Sequence, residues 1–142
     1  AQLNLARLSA PLDSPQLADF VASLEPVNAL ADAAPGFVWR LKDDSGNATA
    51  LRPWGEDTIV NLSVWDSVES LRAFVFGADH SAVLRRRRQW FGPYGTPSLV
   101  LWWVPSGHRP TMEEARERLD LLTATGPGAD AFTLREAHGP PV

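Results

Sequence analysis

The chain has 142 residues, a mass of 15.5 kDa, 44% hydrophobic and 21% charged residues, and a formal net charge of −4. That is the size and balance of one globular domain burying about two thirds of its unfolded surface. The absence of cysteine excludes disulfides, thiol nucleophiles, thiolate zinc sites and cysteine-held iron–sulfur clusters, and the acidic balance argues against general nucleic-acid binding. No apolar run reaches the ~20 residues of a membrane helix. Ala1–Ser9 lacks the basic and apolar regions of a secretory leader, so a cytoplasmic location is the expectation.

The pattern alternates between strand and helix periods. Gln2–Leu8 reads as a strand, with Leu3, Leu5 and Arg7 on one side. Ser14 is placed to cap a helix with Pro15 in its first turn, and Leu17, Phe20, Val21 and Leu24 follow helical spacing. Pro26 is expected to kink or restart that helix, which runs on through Leu30 until Pro35-Gly36 ends it. Phe37–Leu41 is a second strand with Phe37, Trp39 and Leu41 on one face. A turn cluster follows at 43–47, and Ala48–Trp54 extends a hairpin. Thr58–Trp65 is the third strand. Ser67 then caps one long helix from about Val68 to Phe91, with Glu69 early and arginines late, as the helix dipole favours. Leu99–Val104 is the fourth strand. A helix opens at Thr111 with Glu113 and Glu114, turns Ala115, Leu119 and Leu122 inward, and stops at Gly126-Pro127-Gly128. Phe132–Arg135 reads as a short last strand, and the tail 136–142 as frayed.

The succession β-α-β-β-α-β plus a C-terminal helix predicts an α+β fold, a single ferredoxin-like domain over residues 1–142. Such a sheet carries both of its helices on one face. Strands three and four have large apolar residues on both sides: Val60, Leu62 and Val64 against Ile59 and Trp65, and Leu99, Leu101 and Trp103 against Val100 and Trp102. A homodimer covering the helix-free face is the simplest expectation.

Six tryptophans point to an aromatic core or an aromatic-lined pocket. The bias of twelve arginines to one lysine has a plain reading in a GC-rich genome. Asn61 and Trp65 share a strand face with Ser63 between them, so Asn61 either satisfies a bulge or sheet end or lines a pocket beside an aromatic wall. His80 and Arg87 share a helical stripe. They suit binding of a carboxylate, phenolate or carbonyl oxygen, or they simply cap, pack and pair. Arg85 to Arg88 point in four directions on a helix and form no nucleic-acid stripe. His108-Arg109 is a loop able to hold an anion, or an ordinary surface loop. The three histidines lie too far apart in sequence and topology for a metal site, and no cofactor motif is present.

Pro35 to Leu41, Asn61 to Trp65, His80 to Phe91 and Leu101 to Thr111, above all Trp102-Trp103-Val104-Pro105 followed by His108-Arg109-Pro110, resemble a bacterial domain-of-unknown-function family, number 3291. The resemblance covers Gln2 to about Arg135. It implies a dimeric α+β barrel, the superfamily of the antibiotic-biosynthesis monooxygenases. Some of those relatives oxidise polycyclic phenols without metal or flavin, using an Asn and a Trp on the third strand, which Asn61 and Trp65 match in type and spacing. Haem-degrading relatives use a His one turn beyond His80, where this chain has Leu84, so haem is not expected.

Two functions are carried forward. The first is a cofactor-free small-molecule enzyme acting on an aromatic or polyketide-like substrate by oxygenation, cyclisation or isomerisation. Asn61, Trp65, His80 and Arg87 would be its catalytic residues, Trp39, Trp54, Trp90 and Trp103 would be substrate walls, and no metal, membrane or nucleic acid would take part. The alternative is a non-catalytic dimer binding a small hydrophobic or aromatic ligand, or associated with stress. A base or oxyanion-stabilising group at the ligand separates the two, because a binder needs only walls.

Overall fold

The computed structural model describes residues 1–44, 46–77, 82, 85–94 and 97–141. The elements are β1 (Gln2–Leu8), a 3₁₀ turn (Pro15–Leu17) running into α1 (Ala18–Ala33), β2 (Phe37–Arg40), β3 (Thr58–Trp65), α2 (Val68–Val75), α3 (Arg87–Trp90), β4 (Phe91–Gly92), β5 (Leu99–Leu101) and α4 (Met112–Thr125). The fold is α+β around one antiparallel sheet. β2 pairs with β3 and β3 with β1, while β4 and β5 both lie along the other edge of β1. No helix among the described residues is long and apolar enough to cross a membrane.

Alternation along the strands sends two apolar sets to two faces. Leu3, Leu5, Val60, Leu62, Val100 and Trp102 pack beneath α4, against Ala115, Leu119 and Leu122. On the opposite face Leu8 and Ile59 meet Leu17, Phe20 and Trp90, and Trp65 and Leu101 meet Leu71 of α2 and Phe132. The sheet is therefore apolar on both faces because this chain covers both. The expected homodimer loses its motive on this point: α4, expected only as an appendage, occupies the face assigned to a second copy.

Several local expectations are corrected. α1 runs unbroken through Pro26. The carbonyl that Pro26 leaves without a donor belongs to the exposed Ala22, where water can satisfy it. In β2, Phe37 pairs with Trp65 but Trp39 with Val64, an irregularity of the β-bulge type. Phe37 consequently joins the α2 side while Trp39 turns to the α4 side, so the two do not share a face. The segment Ala48–Trp54 forms turns in place of a hairpin strand, with Leu51 N–H donating to the Ala48 carbonyl (3.0 Å) and Thr49 held on Asn47 Oδ1. The long helix expected over Val68–Phe91 is not continuous. α2 closes at Val75, where Phe76 leaves helical geometry and Gly77 follows with its low helix propensity. Arg87–Trp90 is a separate turn. The last predicted strand reduces to Phe132, which exchanges two 2.8 Å backbone bonds with Leu101. The tail is tied down at His138, whose carbonyl accepts the Trp103 indole N–H at 2.8 Å.

Candidate functional site

The C-terminal half of β3 is polar on one face. Register places Gln2 of β1 opposite Ser63. Gln2 Nε2 donates to Ser63 Oγ (2.8 Å) and to Asn61 Oδ1, and Trp65 Nε1 donates to the same Ser63 Oγ at 2.9 Å. Gln2 and Ser63 are 6% and 5% exposed, so the bonds satisfy groups that burial would otherwise penalise. Asn61 itself is exposed. The chain of bonds thus fixes the Trp65 indole from behind. Gln2 was not among the residues singled out from the sequence. Nothing in the strand marks it out, since Gln2 is the first residue of β1 and Asn4 and Arg7 are polar too.

Next to Trp65, the ends of β3 and β5 enclose a cavity of about 380 Å³. Val64, Trp65, Leu71, Leu101, Trp103 and Phe132 line it, with Asp66 and Ser67 on one rim and Pro105, Ser106 and Gly107 on the other. The Asp66-Ser67 rim is built by helix capping. Ser67 Oγ accepts the Ser70 N–H (3.1 Å), and Asp66 Oδ1 accepts the Ser70 hydroxyl (2.6 Å). The opposite rim is held by α4. Thr111 caps that helix by accepting Glu114 N–H at 3.1 Å, and the Glu114 carboxylate takes the Trp102 indole N–H (3.2 Å) and His108 Nε2 (2.7 Å). His108-Arg109 is therefore a loop anchored through His108 to α4.

Burial pushes the Glu114 carboxyl up, but the His108 and Trp102 hydrogen bonds, with the positive charge of His108 and Arg118, outweigh it and leave its pKa below the ordinary value of 4.5. A folded pKa below the unfolded one gives stability that is present above the unfolded pKa and lost as pH falls through the folded pKa. Wild-type protein is thus expected to melt above the Glu114→Gln variant at neutral pH, with the gap closing as pH falls below 4.5 and through the lower folded pKa. A gap independent of pH in thermal scans would remove the ionised carboxylate from this account.

The other predicted residues fall elsewhere. Trp65 and Trp103 line the cavity and Asn61 does not. Trp39 lies on the α4 side of the sheet. Trp54 stacks under the Arg116 guanidinium, 4.3 Å from the ring centre, and Arg116 also bonds the Pro53 carbonyl. Trp90 is buried in the core against Phe20, with Arg86 over its ring. Arg87 is exposed on α3. His80 lies outside the described residues. The cavity at the strand ends thus brings Trp65 and Trp103 together, without Asn61, Arg87 or Trp90 in its lining. Among the described residues, no group of three or more His, Asp or Glu side chains is arranged to hold a metal ion.

The fold and cavity define an α+β domain whose sheet ends in an aromatic-walled pocket. The chain belongs to the family described as Domain of unknown function (DUF3291), whose model it matches over residues 1–142. No curated protein and no solved structure matches it.

Proposed function

We propose that this domain binds a small, largely flat apolar molecule in the cavity beside Trp65 and Trp103. The observation that carries the reading is the cavity itself. Its ~380 Å³ lies within the range of small-molecule sites, and its walls combine indole, phenyl and aliphatic groups with the polar rims at Asp66-Ser67 and Ser106-Gly107. The side chains lining it include neither histidine nor arginine nor tyrosine, and its one ionisable side chain is that of Asp66 at the rim. N-phenyl-1-naphthylamine, an uncharged fluorescent probe, is expected to bind saturably. Trp103→Ala should weaken it about tenfold, the loss of one aromatic contact of about 1.4 kcal/mol. Ser106→Trp, at an exposed rim position, should block entry while leaving the melting temperature unchanged. Absence of saturable binding, or binding indifferent to both changes, removes the proposal.

The enzyme reading has its own support in the Gln2–Asn61–Ser63–Trp65 chain. This chain of bonds holds an exposed carboxamide on the strand that ends at the pocket, outside the pocket lining itself, as a group able to orient a phenolate or enolate. Mass spectrometry of bound ligand after incubation in air separates the readings. Unchanged ligand favours binding, and protein-dependent consumption abolished by Asn61→Ala favours catalysis. The same proposal takes the topology as ferredoxin-like, supported by β1 lying between β3 and β5 in an all-antiparallel sheet. A dimeric barrel gains no support from the face beneath α4, where a second copy would have to replace Ala115, Leu119 and Leu122.

A further inference from the structure

The polar content of the cavity is one-sided. All three tryptophans at its walls have their indole N–H groups engaged by the protein: Trp65 on Ser63 Oγ (2.9 Å), Trp102 on Glu114 Oε1 (3.2 Å) and Trp103 on the His138 carbonyl (2.8 Å). Trp102 turns its ring into the core beneath α4, so the ring surface a ligand meets is that of Trp65 and Trp103, and the face of an aromatic ring carries the negative end of its quadrupole. Ser67 Oγ is also spent, within 3.0 Å of Ser70 Oγ while it caps α2. One ionisable side chain lines the cavity, that of Asp66. Its Oδ1 is fixed by the Ser70 hydroxyl at 2.6 Å, and among the described residues no Lys, Arg or His forms an ion pair with it. Ala1 also lines the cavity, and its nitrogen donates to the Trp102 carbonyl at 2.7 Å.

Resting on the pocket reading above, we infer that the ligand is an organic cation, a protonated or quaternary amine on an apolar or aromatic body, with its charged head at Asp66 and its body against Trp65 and Trp103. The physical reason is complementarity. An anion or phenolate entering here would meet ring faces and the Asp66 carboxylate, with no cationic side chain in the lining to receive it. A cation gains from both: the ring faces attract it and the carboxylate neutralises it at the rim. A tertiary or quaternary amine also tolerates loss of water better than a small hydrated ion, because its charge is spread under methyl or methylene groups.

The test compares (4-hydroxybenzyl)trimethylammonium with 4-neopentylphenol, which replaces the charged nitrogen by carbon at nearly constant shape. Each is titrated against the protein by displacement of N-phenyl-1-naphthylamine. The cation is expected to bind about tenfold tighter. Asp66→Asn keeps the acceptor for Ser70 and should bring the two affinities together by weakening only the cation. In the unaltered protein the preference should also shrink as salt rises, since the carboxylate lies at an exposed rim. Equal affinities, a preference for the neutral compound, or a preference that survives both Asp66→Asn and high salt overturns the inference. Binding of the neutral compound alone overturns it while leaving the pocket reading standing. Failure of both compounds and of the naphthylamine probe takes both readings down.

Discussion

Trp90→Ala is expected to lower the unfolding free energy by about 3–5 kcal/mol, the range for deleting a large buried aromatic. For a chain of this length that is a drop of roughly 10 °C in melting temperature. Trp90 is 2% exposed, and its ring lies 5.4 Å from Phe20 and 6.3 Å from Phe91. It closes the core under α1 with Leu8, Leu17 and Ile59. Its backbone carbonyl also accepts both the N–H and the hydroxyl of Ser9, so the main chain at Trp90 is tied to the backbone that follows β1. The naphthylamine probe should bind the folded variant as it binds the parent, because Trp90 is remote from the cavity lining. A cost below about 1 kcal/mol together with lost probe binding would return Trp90 to the role of ligand wall first assigned to it.

Gly36→Ala should cost about 3 kcal/mol or more, from two additive causes. The residue sits at φ +84°, where any side chain is strained by about 1–3 kcal/mol. An added Cβ would also fall on Ser70 Oγ and Asp66 Oδ1, while the Gly36 carbonyl is held by the Asp66 N–H at 2.8 Å. The β2 entry and the α2 cap are in van der Waals contact at this point, and no relaxation of one flexible tip relieves it. Gly46 provides the control. It has φ +93° and open space around it, so Gly46→Ala carries the backbone term alone, about 1–2 kcal/mol. Equal losses in chemical denaturation for the two variants would mean that the close approach at Gly36 contributes nothing. Because the clash falls on Asp66, Gly36→Ala should also reduce the preference for the cationic probe.

Much of the architecture is written in short-range patterns. β1 and β3 have the bounds their alternation predicts, and the inner face Ala115, Leu119 and Leu122 is the one that packs. The Ser67 and Thr111 caps form as read, since each needs only an N–H three residues on. Gly77 shows where local reading stopped short. The acid-to-base gradient over 68–91 favours one helix and takes no account of the glycine at 77, and α2 closes just before that residue.

Other features were decided by partners distant in sequence. The bulge in β2 depends on how Phe37 and Trp39 meet Trp65 and Val64, and one residue of register exchanges the faces of everything beyond it. Whether Trp90 is core or wall depends on α1 crossing over it. The cavity draws on segments around residues 64–71, 101–107 and 132, joined through Leu101 and Phe132.

By itself, the sequence determined which residues alternate, which helices are amphipathic and where they are capped, and hence an α+β chain with two apolar sheet faces. Only the tertiary structure decided what covers those faces and where space is left between them. Periodicity reports that residues share a face, but it carries no information about what lies opposite. Here the chain's own α4 lies opposite one face, and at the strand ends the elements that cover Trp65 leave a cavity between it and Trp103.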